Sequence, residues 1–309
     1  MKKTIDIISI GEVLIDFIGH EINASIDKTK NYHRFLGGSP TNVAVNAARL
    51  GLKSVLVATC GHDGLGDYIL RKLEKNKVIT SQIQRSTDYP TSVIFVSKST
   101  STPDFLAIRE ADCQINNSQI TTELLESAKI FHTTCFALSK NPARKTIIET
   151  AIKANFIGVQ TSIDINFSEK IWPDREEAKL VLKEYLTTNP LVKLSDDDCY
   201  RLFDEVKSEE YIFDYFHQLG AKTICLTKGK NGVVLSDTQM GIIRQKAIPV
   251  NEIKDSTGAG DAFWTGFLYA QLSNKNLEET LSIAQKMAVL KLQNLGELPE
   301  NMNIEDYLN

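Results

Sequence analysis

The chain has 309 residues, 42% of them hydrophobic and 24% charged, with a formal net charge of -4. That balance belongs to a globular protein and excludes a disordered or low-complexity chain. The acidic excess speaks against nucleic acid as a partner, since such a protein shows a basic face, and no stretch approaches the ~18 consecutive apolar residues of a membrane helix.

In chain order, residues 5–11 form a β-branched run that reads as a first strand, because Asp6 and Glu12 interrupt the apolar core a signal peptide would need. The alanine-rich stretch 41–50 predicts a helix, with Ser39 or Thr41 as its cap and Gly51 as its stop. Further strands are expected over 54–61, 130–134, 159–166, 191–194 and 223–227, and helices over 66–75, 142–155, 175–186 and 209–219. In the helix over 175–186, Ala178, Val181, Leu182 and Tyr185 recur at the spacing of a core-facing stripe. Two helices, 258–272 and 277–295, close the chain. This alternation predicts an α/β fold with a mostly parallel sheet and helices on both faces.

Two stretches break the alternation, approximately 12–36 and 88–112, the second reading as a hairpin with its turn over 100–104. They are read as a small β lid inserted into a single domain spanning 1–309. The five cysteines (Cys60, Cys113, Cys135, Cys199 and Cys225) form no C-x-x-C pair, which fits a reducing, cytoplasmic location. The five histidines have no metal-ligand spacing.

The sharpest signal is Asp255-Ser256-Thr257-Gly258-Ala259-Gly260-Asp261, entered by a strand-like segment over 247–253 and followed by an apolar helical pattern. The small side chains at Gly258, Ala259 and Gly260 let a phosphate approach the backbone, where free amides of the first helical turn and the helix dipole would bind it. Fixed donors of this kind stabilise charge on a transferring phosphoryl group. Asp261 is placed to meet an incoming hydroxyl. At a helix N-terminus it should be a weak base, which suffices when the alcohol loses its proton late in a loose transition state. The alternative is a glycine turn whose Asp only favours the helix start. No P-loop sequence and no strand-borne G-x-G-x-x-G is present.

The heptad and its helix resemble the C-terminal signature of ribokinase-like (PfkB) sugar kinases. Gly37-Gly38-Ser39-Pro40-Thr41-Asn42-Val43-Ala44 resembles that family's other signature, Gly61-His62-Asp63-Gly64-Leu65-Gly66 is similar to its G-x-D-x-x-G, and Thr227-Lys228-Gly229-Lys230-Asn231-Gly232 to its T-x-G-x-x-G. The resemblance covers nearly the whole chain. It implies a three-layer α/β/α body with a mostly parallel central sheet and a small β-sheet lid. It also implies ATP with Mg2+, a monovalent cation such as K+ held by backbone oxygens, and phosphorylation of a primary hydroxyl of a small sugar.

On that resemblance Asp261 takes the hydroxyl proton and Gly258, Ala259 and Gly260 stabilise the transferring group. Asp16, Gly37, Gly38 and Asn42 bind the sugar, and Arg109 reaches it from the lid unless it is a surface arginine. Asp164, Asn166, Thr227, Gly229, Gly258 and Gly260 serve the nucleotide phosphates. Ala284, Ala288 and Lys291 pack either beside adenine or in the core. Two motifs depart from the family: Ser168 stands where D-x-N-x-R carries its Arg, and Ser195-Asp196-Asp197-Asp198 stands for N-x-x-E. Asp198 would act on Mg2+ through water, and the same cluster also reads as a helix start capped by Ser195. Among acceptors the resemblance points to fructose, then to 2-keto-3-deoxygluconate or 5-dehydro-2-deoxygluconate, then to a nucleoside. A catalytically silent sugar-binding regulator is the alternative from another class. An exposed lid strand offers an edge for a homodimer.

Overall fold

A computed structural model describes residues 3–98, 104–294, 296, 298 and 299. Strand β1 (Ile5–Ile10) leads within a few residues into β2 (Leu14–Ile22), which turns back as β3 (Tyr32–Gly37). Helix α1 (Ser39–Arg49), β4 (Ser54–Gly61), α2 (Gly64–Lys75) and β5 (Ile83–Ser86) follow, then a hairpin of β6 (Val93–Lys98) and β7 (Phe105–Ile108). The chain continues through α3 (Thr122–Glu126), β8 (Ala128–Thr134), α4 (Ala143–Phe156), β9 (Gln160–Asp164), α5 (Arg175–Leu186), β10 (Leu191–Ser195) and α6 (Asp196–Phe203). It ends with α7 (Glu209–Gln218), β11 (Thr223–Thr227), β12 (Val233–Asp237), β13 (Gly241–Gln245), α8 (Ala259–Leu272) and α9 (Leu277–Leu292).

The body is a nine-stranded sheet in the order β13-β12-β11-β10-β9-β8-β1-β4-β5, and the lid is a four-stranded sheet in the order β3-β2-β6-β7. Only the β11–β12 and β12–β13 pairings of the body are antiparallel. Every residue of β4 is buried, as expected of a parallel strand covered on both faces. One face packs on α4, α5, α6 and α7 through Phe131, Ile163, Leu182 and Phe216. The other packs on α1, α8 and α9 through Ile7, Val43, Trp264 and Leu281. Helix α8 is apolar nearly all round because α1 and α9 flank it above the sheet. Ligands of open α/β sheets bind beyond the carboxyl ends of the strands. Here Thr134, Asp164, Ser195 and Thr227 end β8, β9, β10 and β11 at that edge.

Several expectations need correction. Residues 247–253 form no strand: Pro249 removes a ladder donor, and Ile253 is exposed instead of paired. The hairpin β12–β13, absent from the sequence reading, extends the sheet antiparallel beyond β11. Neither Ser39 nor Thr41 caps α1, whose N-cap is Gly38. The Ser39 hydroxyl donates to Asp261 and that of Thr41 to the Glu12 carbonyl, so both are spent on tertiary contacts. Helix α9 ends at Leu292, whereas residue 295 lies outside the described residues, as do residues 99–103 of the expected hairpin turn.

Candidate active site

Asp261 lies in the first turn of α8, 9% exposed. Its Oδ1 accepts from Ser39 Oγ at 2.6 Å and its Oδ2 from Asn42 Nδ2 at 2.8 Å. Helices α1 and α8 therefore meet on this carboxylate. Burial raises its pKa, against the donation of Ser39 and Asn42 and the attraction of Lys193 and Lys291. Removal from water thus works against the weak base expected from the helix terminus.

The turn before Asp261 is shaped by Gly258, whose φ of 75 puts it in the left-handed region that favours glycine. Among the described residues, the amides of Gly258, Gly260 and Asp261 meet no acceptor. Unsatisfied amides converging at a helix N-terminus form a ready anion cradle. Asp255 holds the turn by accepting from the Thr257 amide at 2.9 Å and from Lys291 Nζ at 3.0 Å. Lys291 is thereby committed to the turn. Ala284 is buried and Ala288 packs beside it against the core.

On the lid, Asp16 lies in β2 opposite Phe35 of β3 and Ile94 of β6. A Cβ at Gly37 would come within 2.2 Å of Asp16 Oδ2, so the absent side chain makes room for the carboxylate. No donor among the described residues reaches that carboxylate. Burial first, then repulsion from Asp261, pushes its pKa up to about 7. Gly38 backs onto the Glu12 carbonyl. Glu12 joins lid to body, accepting from the Ser39 amide at 3.2 Å and from Thr134 Oγ1 at 3.0 Å. Burial pushes it up to about 8 despite the pull of Arg109.

A second carboxylate group stands under the cradle. Lys193 of β10 donates to both oxygens of Asp164 at the end of β9, at 3.1 and 2.9 Å. Asp198 and Asp261 are close enough to perturb both partners. Asn166 Oδ1 accepts from the Phe136 amide at 3.3 Å. Thr227 pairs with Ser195 in register, and its hydroxyl donates to the Leu194 carbonyl at 3.4 Å. Gly229 follows in open space with a φ of 50, while a Cβ at Gly232 would strike the Gln245 carbonyl.

No group of three or more His, Cys, Asp and Glu among the described residues could hold a metal ion. A nucleotide-borne Mg2+ needs only one or two carboxylates, with waters and phosphates completing its shell. Asp198 fits that demand: Oδ2 accepts from Ser195 N and Oγ in a capping box, and Oδ1 has no donor among the described residues. Both readings of the acidic cluster are thus physically compatible.

Arg109 is 8% exposed and turned into the lid hinge. Its guanidinium donates to Asp112, Ser139 and the Phe136 carbonyl and stacks over the Phe136 ring. Asp112 in turn accepts from Ser92 at 2.5 Å, so both ends of the β6–β7 hairpin are tied together.

The sequence reading missed Ser39, Glu12 and Lys193 as site residues. Only Lys193 left a signal, a lysine inside a strand expected to be buried, where lysine is almost never found unpaired. Ser39 was assigned to the helix cap, and nothing local marks Glu12 as buried.

Residues 4–301 match the pfkB family carbohydrate kinase. An ATP-dependent 6-phosphofructokinase of Thermoanaerobacterium thermosaccharolyticum is 32% identical over 303 residues, covering 98% of this chain and 92% of its own. The solved fructokinase of Halothermothrix orenii is 36% identical with a TM-score of 0.80, over 91% of this chain and 96% of that one. A Pyrococcus horikoshii sugar kinase, solved in complex with ATP, is 28% identical with a TM-score of 0.85, over 98% of this chain and 100% of that one. The chain belongs to the PfkB family of carbohydrate kinases and is a sugar phosphotransferase.

Proposed function

We propose that this kinase transfers the γ-phosphoryl group of Mg-ATP to a primary hydroxyl of a small sugar, with fructose as the acceptor. The observation that carries the reading is the Asp261 carboxylate, buried in the first turn of α8 and fixed by Ser39 and Asn42 beside amides that meet no acceptor among the described residues. The acceptor oxygen bonds to the γ-phosphorus as the bond to ADP breaks, and the hydroxyl proton passes to Asp261. The turn 258–260 receives the equatorial charge. Asp16 accepts from sugar hydroxyls, a role suited to a carboxylate with no donor among the described residues, and Gly37 leaves the space. Asn42 orients the base, and through it the acceptor. Asp164, Asn166, Thr227 and Gly229 line the phosphate side, and Asp198 would hold Mg2+ through water, the ion supplying charge neutralisation on the phosphates when bound. A K+ held by backbone oxygens near the turn belongs to the same proposal. Acceptor-dependent ADP release, lost in Asp261→Ala while sugar binding persists, is the test; a variant that keeps most of its turnover sinks the assignment.

A second reading, a phosphorylated or acidic acceptor, is favoured by one observation. A cavity of about 360 Å³ between lid and body is lined by Ala107, Arg109, Lys140 and Lys170. Ala107 shares a cross-strand row with Ile94 and Asp16, about 10 Å from Asp16 at ordinary strand spacing. An anionic group on the far end of the acceptor would meet Lys140 there, whereas Arg109 is held by Asp112 and Ser139 and Lys170 by Asp104. The name of the Thermoanaerobacterium relative agrees with this reading and that of the Halothermothrix one with the first. Competing fructose against fructose 6-phosphate and 2-keto-3-deoxygluconate separates them. We also propose a homodimer through the lid, because β3 and β7 are edge strands and Leu106 and Ile108 of β7 are 52% and 45% exposed.

A further inference from the structure

An unpaired ammonium inside a parallel sheet is costly, yet Lys193 is only 6% exposed. It stands in β10 with Asp164 as its register partner on β9 and Cys225 on β11. An ammonium has three N–H groups. Two are accounted for by the two Asp164 oxygens, and no further acceptor is present among the described residues. Opposite Asp164 lies the glycine turn: a Cβ at Gly260 would come within 2.9 Å of Nζ and 3.7 Å of Cε. The ammonium therefore sits between a carboxylate and the turn, where the amides of Gly258 and Gly260 also meet no acceptor among the described residues.

Charge gives this position its meaning. Asp16, Asp164, Asp198 and Asp261 surround a site that must admit a polyanionic nucleotide. The other lysine at the turn, Lys291, is spent on Asp255. Burial works against the charge on Lys193, but attraction from Asp164, Asp198 and Asp261 outweighs it, so its pKa is raised and the ammonium stays charged. His132, packed in the same layer, is kept neutral by its own burial and then by Lys193, at a pKa of about 3.

We propose that Lys193 is a further catalytic residue of phosphoryl transfer, its third N–H donating to the anionic group received by the turn 258–260. The assignment rests on the kinase reading above. It also gives the glycine at position 260 a use: a methyl group there would press on the ammonium and displace it.

A purely structural lysine would only neutralise Asp164, and two measurements separate the roles. The first is calorimetric binding of ATP and of ADP, without acceptor, to the wild type and to Lys193→Met. A lysine on the transferred group makes the variant lose ATP affinity by on the order of tenfold or more while ADP affinity moves far less. The second compares turnover of Asp164→Asn with that of Asp164→Asn/Lys193→Met. Removing a preorganised donor costs on the order of 10²–10³ in turnover, so the double variant should fall well below the single one. The neutral pair leaves no uncompensated buried charge, which keeps the comparison open if Lys193→Met alone does not fold. Equal turnover in these two variants, or ATP and ADP affinities in Lys193→Met equal to wild type, overturns the proposal. A wild type with no acceptor-dependent turnover, but Lys193-dependent preference for ATP over ADP, would defeat the kinase reading and with it the catalytic role, leaving only the contact of Lys193 with the terminal phosphate.

Discussion

The two sides of the site are built differently. On the body side the central charged groups are matched: Asp261 to Ser39 and Asn42, Asp164 to Lys193, Asp255 to Lys291. Asp164, Lys193, Asp261 and Lys291 stand on strands and helices packed into the core, and Asp255 in the turn before α8. On the lid side, Asp16 meets no donor among the described residues, the hairpin carries exposed Leu106 and Ile108, and the cavity beside Ala107 is lined by Lys140 and Lys170. Preorganised groups suit chemistry that does not change between substrates. Unmatched groups on a thin sheet suit a partner that supplies the missing contacts. The body thus specifies phosphoryl transfer, and the lid leaves the acceptor to be chosen.

The largest effect should come from the most matched group. Asp261→Ala should lower kcat by on the order of 10²–10⁴-fold, the usual worth of a positioned base, with acceptor affinity changed little; steady-state kinetics with acceptor binding measured separately would check both. Asp16→Asn belongs to the other side and should act on KM for the acceptor, raising it by on the order of tenfold or about 1.4 kcal/mol while KM for ATP stays put. Equal changes in both constants would erase the distinction between the two sides. Gly37→Ala should reproduce part of that defect, since its methyl would meet Asp16 Oδ2 at 2.2 Å.

The carboxylates also predict a pH dependence. Asp16 and Asp261 must be ionised to accept protons or hydroxyl groups, and burial raises both, Asp16 to about 7. Acceptor kcat/KM should therefore fall as the pH drops through about 7, and Asp16→Asn should shift or remove that limb of the profile. Glu12 gives a smaller effect, on stability. Its folded pKa of about 8 lies above its ordinary 4.5, so the native state keeps a proton that the unfolded chain loses. The stability this confers is fully present below 4.5 and is lost as the pH rises toward 8. Glu12→Gln should flatten the decline of Tm across that range. The smallest expected change is on assembly: Leu106→Glu should reduce the mass seen by light scattering from dimer to monomer, and a wild type that is already monomeric defeats the lid dimer.

The division between body and lid also governs what the sequence reveals. Helices and parallel strands of the body are legible because apolar periodicity and glycine stops are local signals, as at 175–186 and 54–61. The turn 255–261 is legible because small residues and an acid at a helix start have a direct physical use. Residues 247–253 misled because β-branched composition cannot report that Pro249 and exposure deny a partner strand. Ser39 and Lys193 escaped because their partners lie far along the chain, Asp261 and Asp164 respectively. Arg109 shows the same limit in reverse. A hairpin arginine reads as free to reach a substrate, and only tertiary packing reveals that Asp112 and Ser139 already hold it.

The most direct test is ADP formation from Mg-ATP by the wild type across fructose, fructose 6-phosphate, ribose, 2-keto-3-deoxygluconate, 5-dehydro-2-deoxygluconate and adenosine. Phosphoryl transfer fixed by the body and selected by the lid predicts ADP release that depends strictly on one class of acceptor and disappears in Asp261→Ala. ADP release independent of acceptor, or unchanged in Asp261→Ala, would contradict it.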